Sequence, residues 1–197
     1  MTFCSVAAAD QPPFEVKGIR LGVASAADVT ERFQLDALHD PSVYVMPCLT
    51  ESCFIMPETV VRARCAHLAD MACTRNMYDD FRFGPVIPKH YSFKFREGKA
   101  ALIMVSFEHD QFDALVIALT EKYGKPTSST AEEVQNKMGA KFARHKVNWE
   151  RPDGLILLED RTDSDLTAGS LLMSTKEFLD KETKERVDAA KASASKL

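Results

Sequence analysis

The sequence predicts an α+β fold, in which an antiparallel sheet of hairpins and a meander carries helices packed on one face. The clearest observation is a hairpin in the middle of the chain. Residues 91–95 alternate aromatic and polar side chains, Glu97-Gly98 supplies a tight turn, and residues 100–107 return as an apolar strand. Alternation with period two is typical of a strand with one buried face.

A second hairpin and an amphipathic helix complete the prediction. Residues 142–150 and 155–160 flank a Pro-Asp-Gly turn, and residues 170–174 form a further strand. Between the hairpins, Asp110 is expected to cap a helix that ends at Gly124. The apolar stripe of this helix comprises Phe112, Leu115, Val116 and Leu119. We expect the stripe to pack on the 100–107 strand.

In the N-terminal part, the sequence predicts a short strand over residues 14–19, with Gly22 as the residue that stops its continuation. A helix is predicted over residues 26–35. Ser25 and Asp28 have the spacing of a capping box, in which each side chain accepts a hydrogen bond from the other residue's amide group. A further strand is predicted around residues 59–65.

The C-terminal part predicts a final helix that begins at Thr175 and buries Phe178 and Leu179. Residues 188–197 form a flexible tail in this prediction. The chain therefore divides into residues 1–9, a single domain over 10–187, and the tail. An alternative division of the domain gives two similar halves, residues 14–90 and 91–187, because strand, capped helix and breaker recur in both.

Composition excludes several classes of function. Apolar residues make up 45% of the chain, so a large core can form without metals or crosslinks. The net charge of −4 and the dispersed Lys and Arg residues argue against nucleic-acid binding, which needs concentrated positive charge. No apolar run is long enough for a transmembrane helix. No phosphate-binding glycine loop or serine nucleophile motif occurs, so we expect no cofactor and no enzyme activity.

The N-terminus has one feature that is typical of a secretion signal. Residues 6–9 place small side chains before Asp10, in the pattern that signal peptidase accepts, although a basic region and a longer apolar stretch are missing. Residues 1–9 are thus either a signal remnant or a small-residue N-terminal segment. We favour the first, which predicts a periplasmic or secreted protein and removes Cys4; the alternative is a cytoplasmic protein.

Four cysteines then remain: Cys48, Cys53, Cys65 and Cys73. Their spacing lacks the paired knuckles of a structural zinc site, so we expect no metal. In an exported protein they are disulfide candidates, and their separations favour pairing 48 with 53 and 65 with 73. Cys65 and His67 leave an alternative open, a thiol-dependent enzyme, because both side chains would face one side of a strand.

Two other groups suggest less specific chemistry. Residues 160–165 contain three aspartates but lack the central glycine and terminal glutamate of a calcium loop, so a solvated turn is favoured. A further alternative is a carrier of small apolar ligands. Its pocket would be formed by the aromatic residues Tyr91, Phe93 and Trp149.

Two stretches carry a resemblance to a known class of proteins. Gly18-Ile19-Arg20-Leu21-Gly22 precedes the capped helix, and residues 122–126 read Lys-Tyr-Gly-Lys-Pro. The chain thus resembles small bacterial periplasmic and envelope proteins of the outer-membrane assembly lipoprotein or β-lactamase-inhibitor-like fold type. The resemblance implies a protein-binding role, as an assembly factor, inhibitor or immunity-like protein. We therefore expect a non-enzymatic exported protein whose partner is another protein, bound through a sheet face or an exposed strand edge.

Overall fold

The structure, a computed structural model, describes residues 12–35, 51–58, 60–61, 79–136 and 138–194. These residues form a seven-stranded antiparallel sheet, a separate two-stranded hairpin and several helices. The predicted α+β class is confirmed. Among the described residues, no helix has the length and apolar character needed to cross a membrane.

The strands are Glu15–Val16 (β1), Ile19–Arg20 (β2), Ser52–Ile55 (β3), His90–Arg96 (β4), Lys99–Glu108 (β5), Ser128–Gln135 (β6), Lys141–Arg151 (β7), Gly154–Glu159 (β8) and Ala168–Thr175 (β9). The helices are Ala26–Arg32 (α1), Phe112–Tyr123 (α2) and Lys176–Ala194 (α3), and a 3-10 turn, His109–Gln111, precedes α2.

The large sheet has the strand order β3-β4-β5-β9-β8-β7-β6. After β5 the chain crosses through α2 to the far edge of the sheet and returns as the meander β6 to β9. Since every neighbouring pair is antiparallel, β5 and β6 run parallel, and a connection of this kind needs a long crossover such as a helix. The last strand of the meander closes against β5.

Both predicted hairpins are present. Glu97 and Gly98 have φ angles of 52° and 75°, so the β4–β5 turn places two consecutive residues in the left-handed region, as the strand twist requires. The pairing shifts by one residue beside this turn, between Lys94 and Phe95. The β7–β8 turn joins Arg151 to Gly154, which are partners in the register.

Alternate side chains of the sheet form the core on one side, which we call the inner face. The central members are fully or almost fully buried: Tyr91, Phe93, Ile103, Val105, Phe107, Val147, Trp149, Ile156, Leu158, Leu171 and Met173. From α1, Val29 and Phe33 join this core, and the Phe33 ring centroid lies 5.1 Å from that of Tyr91. From α2, Leu115 and Leu119 do the same.

The apolar stripe of α2 is confirmed, but its predicted partner and cap are wrong. The main sheet contacts of α2 fall on β8 rather than on β5, because β9 lies between these two strands. Asp110 does not cap the helix. It lies within the 3-10 turn, and the N-cap residue of α2 is Gln111, whose side chain makes no capping hydrogen bond. Gly124 ends the helix with a φ of 84°, as predicted.

In the N-terminal part, the capping box of α1 is confirmed: Ser25 N donates to Asp28 Oδ2 at 2.6 Å, and Asp28 N donates to Ser25 Oγ at 3.3 Å. The single strand predicted over residues 14–19 is instead the β1–β2 hairpin, because Lys17 and Gly18 both adopt positive φ. A strand was predicted around residues 59–65. Of these, the structure describes residues 60–61, which are helical, so the prediction is wrong for them.

The final helix starts where predicted, with Thr175 Oγ1 accepting a hydrogen bond from Phe178 N at 3.3 Å. Phe178 is buried and packs beneath the side chains of Lys94 and Arg96. Arg96 also forms an ion pair with Glu185 at 3.4 Å. The helix continues to Ala194, into the segment predicted as a flexible tail, and residues 188–193 of that segment are exposed.

Candidate protein-binding surface

The face of the sheet that points away from the core, the outer face, carries a group of apolar side chains. Five of them are long, adjacent and only partly buried: Leu102, Met104, Leu155, Leu157 and Leu172. We call this group the outer patch. Met104 is the register partner of Leu172, and Leu172 is the partner of Leu157, so the three form a row across β5, β9 and β8. Cross-strand partners lie in direct side-chain contact range, so the patch is continuous.

The outer patch arises because three antiparallel strands are apolar on both faces. Residues 102–105, 155–158 and 171–173 are uninterrupted apolar runs, whereas an antiparallel strand with one face in water usually alternates. The inner members of these runs fill the core, and the remaining ones stay partly accessible on the outer face. Contiguous apolar surface of this kind marks interaction sites more often than scattered single residues do.

An open strand edge lies on the same sheet. In the part of the chain that the structure describes, β6 pairs with β7 alone. Seven of its eight residues are exposed, and only Val134 is half-buried. The edge of β6 therefore offers backbone N–H and C=O groups with which an extended segment of another protein could form a ladder.

Beyond the sheet, β6 and β7 continue as a two-stranded projection. β7 pairs with β8 only over residues 146–151, so residues 141–145 pair solely with residues 131–135 of β6 among the described strands. We call residues 131–145 the arm. At its tip, Asn136 Oδ1 accepts hydrogen bonds from Met138 N at 3.0 Å and from Ala140 N at 2.9 Å. The Met138 side chain is 91% exposed.

Ion pairs tie the arm to the body. Arg144 forms ion pairs with Glu132 at 2.6 Å and with Asp163. Lys146 lies 2.9 Å from Glu132 and 3.3 Å from Glu159. Hydrogen bonds from Lys146 and then from Arg144 hold the pKa of Glu132 below its ordinary value. The charges on this side of the arm are thus largely paired with one another.

The loop after β8, predicted as a solvated turn over residues 160–165, braces the root of the arm. Asp160 accepts a hydrogen bond from His145 N at 2.7 Å and lies 3.1 Å from His145 Nδ1. The Arg161 guanidinium lies 5.3 Å from the centre of the Phe142 ring and donates to the Ala143 carbonyl at 3.2 Å. The three aspartates of the loop have separate protein partners, and no metal-binding cluster occurs among the described residues.

Of the predicted cysteine sites, the structure describes one. Cys53 lies on β3 and is buried at 2% exposure. Cys48, Cys65, Cys73 and His67 lie outside the described residues. The disulfide pairing and the thiol-enzyme alternative therefore stay predictions.

The aromatic residues proposed for a ligand pocket are not brought together. Tyr91 and Phe93 lie on β4, whereas Trp149 lies on β7, and three strands separate them. All three are core residues: the Tyr91 hydroxyl donates to the Phe81 carbonyl at 2.5 Å, and burial raises the pKa of Tyr91. Trp149 Nε1 donates to the Gly124 carbonyl at 2.8 Å.

Comparisons with protein families, with curated proteins and with solved structures give no significant match. The resemblance to outer-membrane assembly lipoproteins and β-lactamase-inhibitor-like folds thus remains an expectation from short sequence stretches. Binding of a protein partner at a sheet face or a strand edge stays a prediction, and the sequence patterns did not locate the outer patch or the arm. The apolar runs of β5, β8 and β9 were the signal for the patch.

Proposed function

We propose that this protein is a non-enzymatic, exported binding protein that holds another protein against the outer face of its sheet. The outer patch is the observation that carries the proposal. Covering its five apolar side chains would remove their remaining surface from water, which stabilises a complex by about 25 cal/mol for each Å² buried. The exposed β6 edge supports the proposal, because it can add directional backbone hydrogen bonds.

The proposal fits the distribution of the helices. The inner face is occupied by α1 and α2, whose buried residues complete the core. Among the described helices, α3 lies at one end of the outer face, where Phe178 meets Lys94 and Glu185 pairs with Arg96. A partner that contributes a sheet or a helix to the remaining outer face would form a further layer on the sheet, in the way that layers of globular domains pack.

Site-specific photo-crosslinking in the native host tests the proposal. A photoreactive benzoylphenylalanine replaces Leu157 in the outer patch, and the control carries it at Ile117, which is 62% exposed on α2. We expect a discrete adduct with one protein from position 157 and none from position 117. Equal crosslinking from both positions, or none from position 157, would contradict binding at the outer patch.

The export part of the proposal is tested separately by intact mass. It rests on the small residues before Asp10 and on the four cysteines that would remain after cleavage. Protein made from the complete gene in its host is expected to begin near Asp10 and to resist alkylation of Cys48, Cys65 and Cys73 until it is reduced. A cytoplasmic product that retains Met1 would contradict export.

A further inference from the structure

We infer that the β6 edge pairs with the same edge of a second copy of this chain, so that the two large sheets join into one. The inference goes beyond the proposed function, because it assigns the edge to a second copy and leaves the partner protein to the outer patch. Seven of the eight residues of β6 are exposed, so the edge is accessible to a second copy.

The register identifies the main-chain groups of β6 that face the open edge. Hydrogen-bonded residue pairs alternate along an antiparallel ladder. Asn136 N donates to the Ala140 carbonyl at 2.9 Å, so the even-numbered residues of β6 are the ones bonded to β7. On β7, His145 correspondingly bonds to Asp160, on the side away from β6. The amide and carbonyl groups that point to the open edge therefore belong to the odd-numbered residues Ser129, Ala131 and Glu133.

β6 lacks the features that usually keep an edge strand from pairing. Such features are bulges, prolines and charged side chains, lysine above all. β6 contains no proline, lysine or arginine, and its register with β7 is continuous over Ser128–Gln135. Its two carboxylates are already neutralised by cations of β7: Glu132 by Arg144 and Lys146, and Glu133 by Lys141. Long-range repulsion between two copies of this edge is thereby reduced.

Symmetry and charge together select the register of the pairing. Two identical antiparallel strands are related by a two-fold axis, which passes through a residue that faces its own copy. An axis at Glu132 or Glu133 would set two carboxylates directly opposite each other, which destabilises a strand pair. An axis nearer to either end of β6 would leave more of the edge unpaired. An axis at Ala131 avoids both costs.

The side chains that meet in this register are complementary. Thr130 lies opposite Glu132 of the second copy, and Ser129 lies opposite Glu133 of the second copy. The hydroxyl groups of Ser129 and Thr130 are exposed donors, and a hydrogen bond from a hydroxyl group to a carboxylate is stronger than one between neutral groups. The lysines nearest to this stretch in sequence, Lys125 and Lys137, lie beyond the residues that pair.

The pairing places the outer faces of both copies on the same side of the joined sheet. The two-fold axis between antiparallel strands is perpendicular to the sheet, so it does not turn the sheet over. Under the proposed function, two partner molecules then bind side by side on one surface. A single pair of edge strands buries less area than a standard interface, so we expect a dissociation constant of about 10–100 µM for the dimer.

Sedimentation velocity of the full-length protein tests the inference. We expect the natural protein to change from monomer to dimer between about 1 and 300 µM. Ala131→Pro removes the amide donors at the two-fold axis, at an edge position that tolerates proline, and should weaken the dimer by about tenfold or more. Ala143→Pro is the matched control, because this residue lies in the same arm with its amide group facing away from β6. Its dimer should stay within about twofold of the natural one.

Two charge variants at Ser129 test the register. Ser129→Glu sets a carboxylate opposite Glu133 of the second copy and should weaken the dimer by about tenfold, whereas Ser129→Lys should strengthen it by about threefold. The same two substitutions at Thr183, which is exposed on α3, are the controls and should leave the dissociation constant unchanged. Circular dichroism spectra like that of the natural protein are expected for all these variants.

The outcomes separate this inference from the proposed function. A monomer at every concentration, or equal weakening by Ala131→Pro and Ala143→Pro, would overturn pairing through β6. Loss of the dimer in Leu157→Lys but not in Ala131→Pro would place the second copy on the outer patch instead. Changes of the same sign in Ser129→Glu and Ser129→Lys would overturn the register. Photo-crosslinking to another protein from position 157 is measured separately and decides the proposed function alone.

Discussion

Replacing Gly154 with alanine is expected to destabilise the fold by about 3 kcal/mol or more, the upper range for overpacking a core. A Cβ atom at this position would lie 2.1 Å from the carbonyl oxygen of Ser174 and 2.8 Å from Cε2 of Phe14. The oxygen belongs to the main chain of β9, so a rotamer change cannot relieve the contact. Urea unfolding followed by far-ultraviolet circular dichroism measures the loss.

Gly98→Ala is the matched control for this variant. A Cβ atom at Gly98 meets no atom within 4 Å, but its φ of 75° is unfavourable for alanine. The cost should therefore be only about 1–2 kcal/mol, from the left-handed backbone. Equal stabilities of Gly154→Ala and Gly98→Ala would contradict the close approach of β8 to β9 at this end of the sheet.

Truncating Leu119 to alanine is expected to cost about 2–5 kcal/mol in free energy of unfolding, the usual loss for a buried leucine. Leu119 is 2% exposed in the core cluster that joins α2 to the sheet. The cavity left by its side chain would be surrounded by secondary structure that cannot collapse freely. Chemical denaturation at constant pH gives the value.

Glu121→Ala on the same helix is the control, because Glu121 is exposed. We expect its free energy of unfolding to stay within about 0.5 kcal/mol of that of the natural protein. Similar losses at Leu119 and Glu121 would show that α2 is rotated relative to the core, and the crossover that links β5 to β6 would need another account.

Local signals explain what could be predicted from sequence. The Ser25–Asp28 capping box depends on residues three apart, and the β4–β5 turn depends on Glu97-Gly98 and its alternating flanks. The stripe of α2 follows from helix periodicity alone. Each of these features is determined by residues close together in the chain, so the pattern and the structure agree.

Non-local pairing explains what could not be predicted. The insertion of β9 between β5 and β8 decides that α2 packs on β8, and no local pattern specifies which distant strands become neighbours. β6 was missed because an exposed edge strand has no apolar alternation: its sequence is mostly polar, and only Val134 is half-buried. Similarly, the β1–β2 turn at Lys17-Gly18 is too short to separate two strands in the hydrophobic pattern.

The same reason explains why the outer patch and the arm could not be predicted. Leu102, Leu157 and Leu172 read as ordinary core residues in sequence, and only the register shows that all three point away from the core on neighbouring strands. Met138 reads as a loop residue, and its exposure follows from the length of the β6–β7 pairing beyond β8. Faces and projections of a sheet become visible only when strand order and register are known.

The affinity of the crosslinked partner for a Leu157→Lys variant tests the central claim most directly. A lysine at the centre of the outer patch would place an unpaired charge in the interface, where desolvation opposes binding. We predict that Leu157→Lys raises the dissociation constant by about a hundredfold, whereas Ile117→Lys on α2 leaves it unchanged. Equal affinities of these two variants for the partner, with the fold of both intact by circular dichroism, would contradict binding at the outer face.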